Sequence, residues 1–285
     1  MERGLLMGIR IVSDSSSNLH AFSAAPYASV PLKVITKERE YVDTASLDVE
    51  GMIADLGRVH GRTGTSCPNV YEWREAMGDA DDVIAITITS NLSGSYAAAM
   101  QAKRECEAEN PVRRIAVIDS LSTGPEMQLV IERLAELIAA GVSFDEVERG
   151  AREYLVHTHL VFCLQSLDNL ARNGRVNVIV AKVVGALGIR IVGIASAKGT
   201  LELLHKPRGA QRARESILSV MREQGYRGGR VRIAHCLNET GAVALADAIR
   251  REFPTATIEI LKTTALCSFY AEEGGLMIGY EDSIS

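Results

Sequence analysis

The chain has 285 residues, 47% of them hydrophobic and 24% charged, which is globular material for about two domains at roughly 150 residues each. Its 31 basic and 36 acidic side chains leave a net charge of −5, which argues against broad, sequence-independent nucleic-acid binding. No apolar run approaches the ~18 residues of a membrane span, and the first seven residues hold too short an apolar stretch for a secretory leader. A cytoplasmic protein without stable membrane insertion is expected.

The first half alternates β-rich runs with helical patterns. Ile9–Ser13 reads as a strand running into Asp14-Ser15-Ser16-Ser17, and Val30–Ile35 as a second strand with Pro31 near its start. Helical patterns cover Asp48–Arg58 and Asn69–Met77. The buried strand Asp82–Ile88 is followed by a helix over Ser95–Glu107, the strand Arg114–Asp119 and a helix over Pro125–Ala140. In that last helix Met127, Val130, Ile131, Leu134, Leu137 and Ile138 make a core-facing stripe. Strands spaced by such helices predict βαβ units and a parallel sheet.

Beyond a boundary placed at residues 158 and 159 come the strand Leu160–Leu164, the helix-like Val178–Leu187 and the strand Ile189–Ile194. Lys198-Gly199 supplies a turn that would pair this strand with Leu201–Leu204 in a hairpin. An amphipathic helix carries Ala210, Ala213, Ile217, Val220 and Met221 on one side. The strand Val231–His235, a helix over Thr240–Glu252, the strand Ala256–Leu261, and a glycine-bearing turn from Tyr270 to Gly275 entering a last strand complete a smaller α/β unit.

The familiar phosphate loop, dinucleotide fingerprint, zinc-protease helix and serine elbow are all missing. His157 and His159 lack a third ligand nearby and read as half-buried or surface side chains. The five cysteines, Cys67, Cys106, Cys163, Cys236 and Cys267, form no paired motif; most are expected as buried thiols, Cys163 and Cys236 above all. What remains is a set of hydroxyl-rich turns after strands: Asp14–Ser17, Thr65-Ser66-Cys67-Pro68, Thr89–Ser95 and Asp119-Ser120. Each taken alone is a helix cap. Several gathered at the carboxyl edge of a parallel sheet point to a small, anion-headed ligand, because helix N-termini there offer free N–H groups and partial positive charge. Gly94 is the sharpest case, since a missing side chain lets a ligand approach the backbone. The stretch 206–232 carries eight Lys or Arg and two Glu, a local +6 that is either a solvated helix face or a docking surface for an acidic group. The single tryptophan, Trp73, follows the Thr65 turn and is a candidate fluorescent reporter of ligand.

In their order along nearly the whole chain, these segments resemble the DegV family of bacterial fatty-acid-binding proteins, the lipid-carrying subunits of fatty acid kinases. Asp14-Ser15 resembles the family's opening D-S motif, Val30-Pro31-Leu32 its V-P-L strand, and Thr65-Ser66-Cys67-Pro68 its T-S-Q-P turn. Ser93-Gly94-Ser95-Tyr96 resembles S-G-T-Y, Asp119-Ser120 the V-x-D-S strand end, Leu170–Arg175 the L-x-x-G-G-R segment with Asn173 for a glycine, and Lys206–Gly209 the K-x-R-G segment. The resemblance implies a two-domain α/β DegV-like (EDD) fold, with an N-terminal open parallel sheet over 1–158, a smaller C-terminal α/β domain over 159–285, and the ligand between them. It places a fatty-acid carboxylate at Thr65, Ser66, Ser93, Gly94 and Ser95, with Asp14, Ser15, Asp119 and Ser120 as secondary ligand residues. It implies a separate kinase, faced by Arg175, Arg208 and Tyr270, that converts the bound carboxylate to an acyl phosphate. The family commonly has a histidine in the turn before the last strand, where this chain has Tyr270, a hydrogen-bond donor but a poor proton acceptor at neutral pH. Cys67 in place of glutamine is a second departure.

The physics of such a ligand agrees. A buried carboxylate needs several donors, and a 16-carbon tail at ~0.8 kcal/mol per methylene supplies on the order of 10 kcal/mol before association costs. Ile179, Val183, Val184, Leu187 and Ile191 are candidates to line the tail or to be plain core. The expected protein is a monomeric, non-enzymatic carrier without cofactor. The competing readings are an enzyme using Ser93 or Asp14, a lipid carrier with no kinase partner, and an interaction module built on the basic 206–232 stretch.

Overall fold

A computed structural model of the chain describes residues 8–59, 61–177 and 188–282. The chain opens with β1 (Arg10–Asp14), a single 3-10 turn over Ser15–Ser17, and β2 (Tyr27–Val30). Then come β3 (Lys33–Ile35), β4 (Glu40–Val42), α1 (Val49–Leu56), β5 (Gly64–Ser66), α2 (Val70–Met77), β6 (Asp82–Thr87) and α3 (Ser95–Glu109). β7 (Arg114–Asp119), α4 (Pro125–Ala139) and α5 (Phe144–Leu155) complete the first half.

β2, β1, β6 and β7 form, in that order, a four-stranded parallel sheet. Successive residues of a strand face opposite sides, and here both sides are covered. Ile11, Ile84, Ile86 and Ile118 pack toward α4 and α5, while Val12, Val83, Ala85 and Val117 pack with residues of α2 and α3. That double burial is why the strands read as unbroken apolar runs.

Val30–Ile35 is two strands rather than the one expected. β2 ends at Val30 in the parallel sheet, and β3 begins at Lys33 in a separate antiparallel sheet of order β4-β3-β5. Pro31 has no N–H to continue a ladder, and the Leu32 N–H donates to Ser15 Oγ at 3.0 Å. Consequently Thr65 and Ser66 lie on β5 of this small antiparallel sheet and not at the carboxyl edge of the parallel one. Helix α5 was not anticipated, although a capping box marks its start: Glu146 accepts from both the N–H and the hydroxyl of Ser143.

β8 (Thr158–Leu164), the short α6 (Asp168–Arg172), β9 (Ile191–Ala195), β10 (Leu201–His205), α7 (Ala210–Glu223), β11 (Arg230–His235), α8 (Glu239–Glu252), β12 (Thr257–Lys262), α9 (Ala265–Ala271) and β13 (Leu276–Glu281) follow. Their strands make a six-stranded sheet of order β10-β9-β8-β13-β11-β12, in which β11 and β12, joined through α8, are the parallel pair. The shorter half of the chain therefore carries the wider sheet. Alternation again sorts the faces. Val161, Cys163, Ile233 and Ile278 pack with residues of α7 and α8, whereas Leu160, Phe162, Leu164 and Met277 belong to clusters on the opposite face. The hairpin at Lys198-Gly199 forms as predicted. Tyr270, expected in a turn, is the penultimate residue of α9. Val178–Leu187 lies outside the described residues.

The hairpin tip docks on the first half of the chain. Thr89 Oγ1 donates to the Gly199 carbonyl at 2.8 Å and Asn91 Nδ2 to the Lys198 carbonyl at 2.6 Å. Gly199 has φ +71°, and a Cβ there would stand 2.2 Å from Thr89 Oγ1, so both the backbone conformation and the contact require glycine.

Candidate functional site

A cavity of about 260 Å³ lies where the cavity-side face of β8 and β13 meets β5, the β6–α3 loop and α9. Its apolar lining includes Leu160, Phe162 and Leu164 of β8, Leu170, Leu201, Leu266 and Met277. Its polar lining is Thr65, Ser66, Cys67, Ser93, Gly94, Thr123, Arg175, Cys267 and Tyr270.

Several polar groups are tied to one another. Thr65 Oγ1 and the Tyr270 hydroxyl are 2.8 Å apart, which couples β5 to the end of α9. Burial pushes the Tyr270 phenol above its ordinary value, against the Thr65 hydrogen bond and the nearby Arg175 charge, so Tyr270 is neutral at pH 7. Arg175 Nε donates to the Leu92 carbonyl at 3.3 Å and Nη1 to the Asn173 carbonyl. Among the described residues no carboxylate pairs with Arg175. Gly94 caps α3 with no side-chain hydrogen bond, and a Cβ there would lie 3.1 Å from Cys67 Sγ. The Ser95 N–H donates to Ser93 Oγ at 3.3 Å, leaving the Ser93 hydroxyl proton available to an acceptor. The cluster offers hydroxyl, amide and guanidinium donors beside a greasy wall, the pairing an amphipathic acid needs.

Of the residues singled out from sequence, Thr65, Ser66, Ser93, Gly94, Arg175 and Tyr270 are brought together at the cavity. The others are not among its lining. Ser95 is buried and its Oγ donates to Asp14. Ser15 Oγ accepts from Leu32, and its carbonyl accepts from Thr264 Oγ1. Asp119 Oδ1 accepts from the N–H groups of Ser90 and Leu121, both at 3.1 Å. Ser120 Oγ donates to the Ser122 carbonyl. These four, with Asp14, brace loops. Arg208 is exposed and bridges to Ile189. Ile191 is core beside Phe162 and Leu164, while Ile179, Val183, Val184 and Leu187 lie outside the described residues.

Sequence reasoning missed the apolar wall, because Leu160–Leu164 is apolar at every position and nothing in it singles out the face that Leu160, Phe162 and Leu164 turn to the cavity. It also missed Cys267, which nothing in its neighbourhood marks; burial pushes that thiol up to about 12. Cys106, Cys163 and Cys236 are buried as well, and Cys67 is half-buried. Trp73, on α2, is wholly buried against the parallel sheet and α3 and does not line the cavity, so it is no direct reporter of occupancy.

His157 and His159 both contact the Asp282 carboxylate, at 2.9 and 3.1 Å. Among the described residues no group of three or more His, Cys, Asp or Glu side chains could hold a metal ion. The basic stretch is partly neutralised by acids from elsewhere: Arg222 pairs with Glu252, Arg230 with Glu136 and Glu281, and Arg232 with Glu132 and Glu259. No helix among the described residues is long and apolar enough to cross a membrane.

Residues 8–282 match the family model described as uncharacterised protein, DegV family. A DegV domain-containing protein of Streptococcus pyogenes serotype M1 is 41% identical over 276 residues, covering 95% of this chain and 99% of the relative. Two crystal structures superpose with a TM-score of 0.95 each. One is a DegV family protein from Eubacterium eligens loaded with heptadecanoic acid, 37% identical, covering 96% of this chain and 100% of that one. The other is the Streptococcus pneumoniae fatty acid kinase B3 protein loaded with linoleic acid, 40% identical, covering 97% of this chain and 100% of that one.

Proposed function

The chain belongs to the DegV family, and from that premise we propose that it is a carrier that binds a long-chain fatty acid in the cavity and presents the carboxylate to a separate kinase for acyl-phosphate formation. The observation that carries the reading is the mixed chemistry of the lining: leucines, Phe162 and Met277 together with the hydroxyls of Thr65, Ser66 and Ser93 and an Arg175 free of any carboxylate partner among the described residues. A carboxylate taken out of water must be met by several donors; Ser93, the Gly94 backbone, Thr65 and Arg175 are those donors. The tail lies against β8 and Met277, and on the order of 10 kcal/mol of gross drive comes from its methylenes.

In this reading residues 1–158 supply Thr65, Ser93 and Gly94 to the head group, while 159–285 add Arg175 and cover the chain. Tyr270 and Arg175 stand at the reacting end, and the exposed Arg208 is where the kinase docks. The carrier acts as a cytoplasmic monomer and needs no cofactor, since its own task is binding. The lipids carried by the Eubacterium eligens and Streptococcus pneumoniae proteins support the ligand, and the latter's name as a fatty acid kinase protein supports the partner.

The test is native mass spectrometry of the protein purified from a bacterial host. A co-purifying fatty acid, absent from Ser93→Ala, is expected; a lipid-free protein that takes up no added fatty acid overturns the proposal. Addition of a fatty acid kinase and ATP should then yield acyl phosphate, trapped as the hydroxamate. A lipid-loaded protein that yields none is a transport protein only.

A further inference from the structure

Asp14 ends β1 with no exposed surface, and it is not a lining residue of the cavity. Its Oδ1 accepts from the Ser16 N–H at 3.3 Å and from Ser16 Oγ at 2.5 Å. Its Oδ2 accepts from the Ile88 N–H at 2.9 Å and from Ser95 Oγ at 2.6 Å. Ile88 and Ser95 are the two ends of the β6–α3 loop, and Ile88, Leu92, Ser93 and Gly94 within it face the cavity. One carboxylate oxygen therefore clamps both ends of the loop that carries the head-group donors.

We propose that Asp14 is a positioning residue for the head-group end of the cavity: through Ser95 and Ile88 it fixes where Ser93 and Gly94 stand, without touching the ligand. This rests on the fatty-acid reading above and replaces the expectation that Asp14 contacts the ligand.

The choice of residue follows from the donors. Two of the four are backbone N–H groups, which can only donate, and only an ionised carboxylate accepts at all four positions. An asparagine has one acceptor oxygen, and in either orientation its amide N–H₂ would face the N–H of Ile88 or of Ser16. Burial pushes the Asp14 carboxyl above its ordinary value, and the bonds from Ser16, Ser95 and Ile88 pull against that shift. The link onward is direct. Ser95 is the first residue of α3, its N–H donates to Ser93 Oγ, and Gly94 supplies no capping side chain of its own. With Ser95 released from Asp14, the long Ser95 N–H to Ser93 Oγ bond is left to hold the loop against the first turn of α3, and Ser93 loses its fixed orientation.

The test compares binding of hexadecanoic acid and hexadecan-1-ol, which share a tail and differ in the head group, by calorimetry on the whole protein. For Asp14→Asn, affinity for the acid should fall about tenfold while affinity for the alcohol stays within about twofold. Ser95→Ala, which removes the one bond from Asp14 to α3, should shift the acid in the same direction by a smaller factor and serves if Asp14→Asn fails to fold. Parallel losses for acid and alcohol, or unchanged affinity for both, overturn the positioning role while leaving the fatty-acid reading standing. A wild-type protein that binds neither probe overturns the reading itself, and this inference with it.

Discussion

The Tyr270 hydroxyl and Thr65 Oγ1, 2.8 Å apart, join two residues separated by 205 positions in the chain and close one side of the cavity. Tyr270→Phe removes this contact with little change of volume. A loss of about 0.5–1.5 kcal/mol is expected from a hydrogen bond of this kind, read as a lower urea midpoint. Fatty-acid affinity should change little, because Thr65 then keeps its hydroxyl for the ligand alone.

Gly94 sits under Cys67, and a methyl group added there would press on Sγ at 3.1 Å. Gly94→Ala should weaken hexadecanoic acid binding by about tenfold, as expected of overpacking at a fitted contact. Cys67→Ala in the same chain should restore most of it. Calorimetric titration of the single and double variants checks the compensation; two losses that simply add would separate the residues.

Burial pushes the Glu126 carboxyl up to about 7, opposed by hydrogen bonds from Ser122 and Thr158. The folded protein therefore holds this proton where the unfolded chain, near the ordinary value of 4.5, has lost it. Stability from this group is full below pH 4.5 and falls as pH rises through 7, by about 3 kcal/mol in all. Asp14 and Asp43 are also raised by burial and act in the same direction. Denaturation at pH 5 and pH 8 should show wild type losing more stability on alkalinisation than Glu126→Gln, which cannot ionise.

The hairpin tip contributes through Gly199. Gly199→Val must clear Thr89 Oγ1 and adopt a positive φ, strained at about 1–3 kcal/mol. With the tip displaced, Leu201 no longer seals the cavity, and bound lipid should pass to acceptor vesicles faster than from wild type. Thr89→Val, which removes only the hydrogen bond, should give a smaller acceleration.

Much of the architecture was legible because burial leaves a mark on sequence. Val83–Ile86 and Ile115–Ile118 are covered on both faces, so their apolar runs announce a parallel sheet. Ser93 and Gly94 were visible as a hydroxyl and a missing side chain at a strand-to-helix turn. The placement of Thr65 was not, since β5 has three residues, too few to show a period, and its partner β3 is hidden behind Pro31. The role of Asp14 was equally hidden: an aspartate after a strand looks the same whether it meets a ligand or a helix 81 residues away. Helix α9 ends at Ala271 and carries almost no polar face, because Ala265–Phe269 are all buried. It therefore lacks the amphipathic stripe by which a surface helix is recognised.

The walls of the cavity are drawn from Leu32 to Met277, nearly the full span of the described chain. Because Met277 of β13 is part of the wall, the cavity is complete only once the last strand is in place, and on the fatty-acid reading loading would follow folding of the whole chain. An occupant touching β5, β8, α9 and β13 at once would then act as a non-covalent cross-link, and by mass action the melting temperature of the protein should track the free lipid around it.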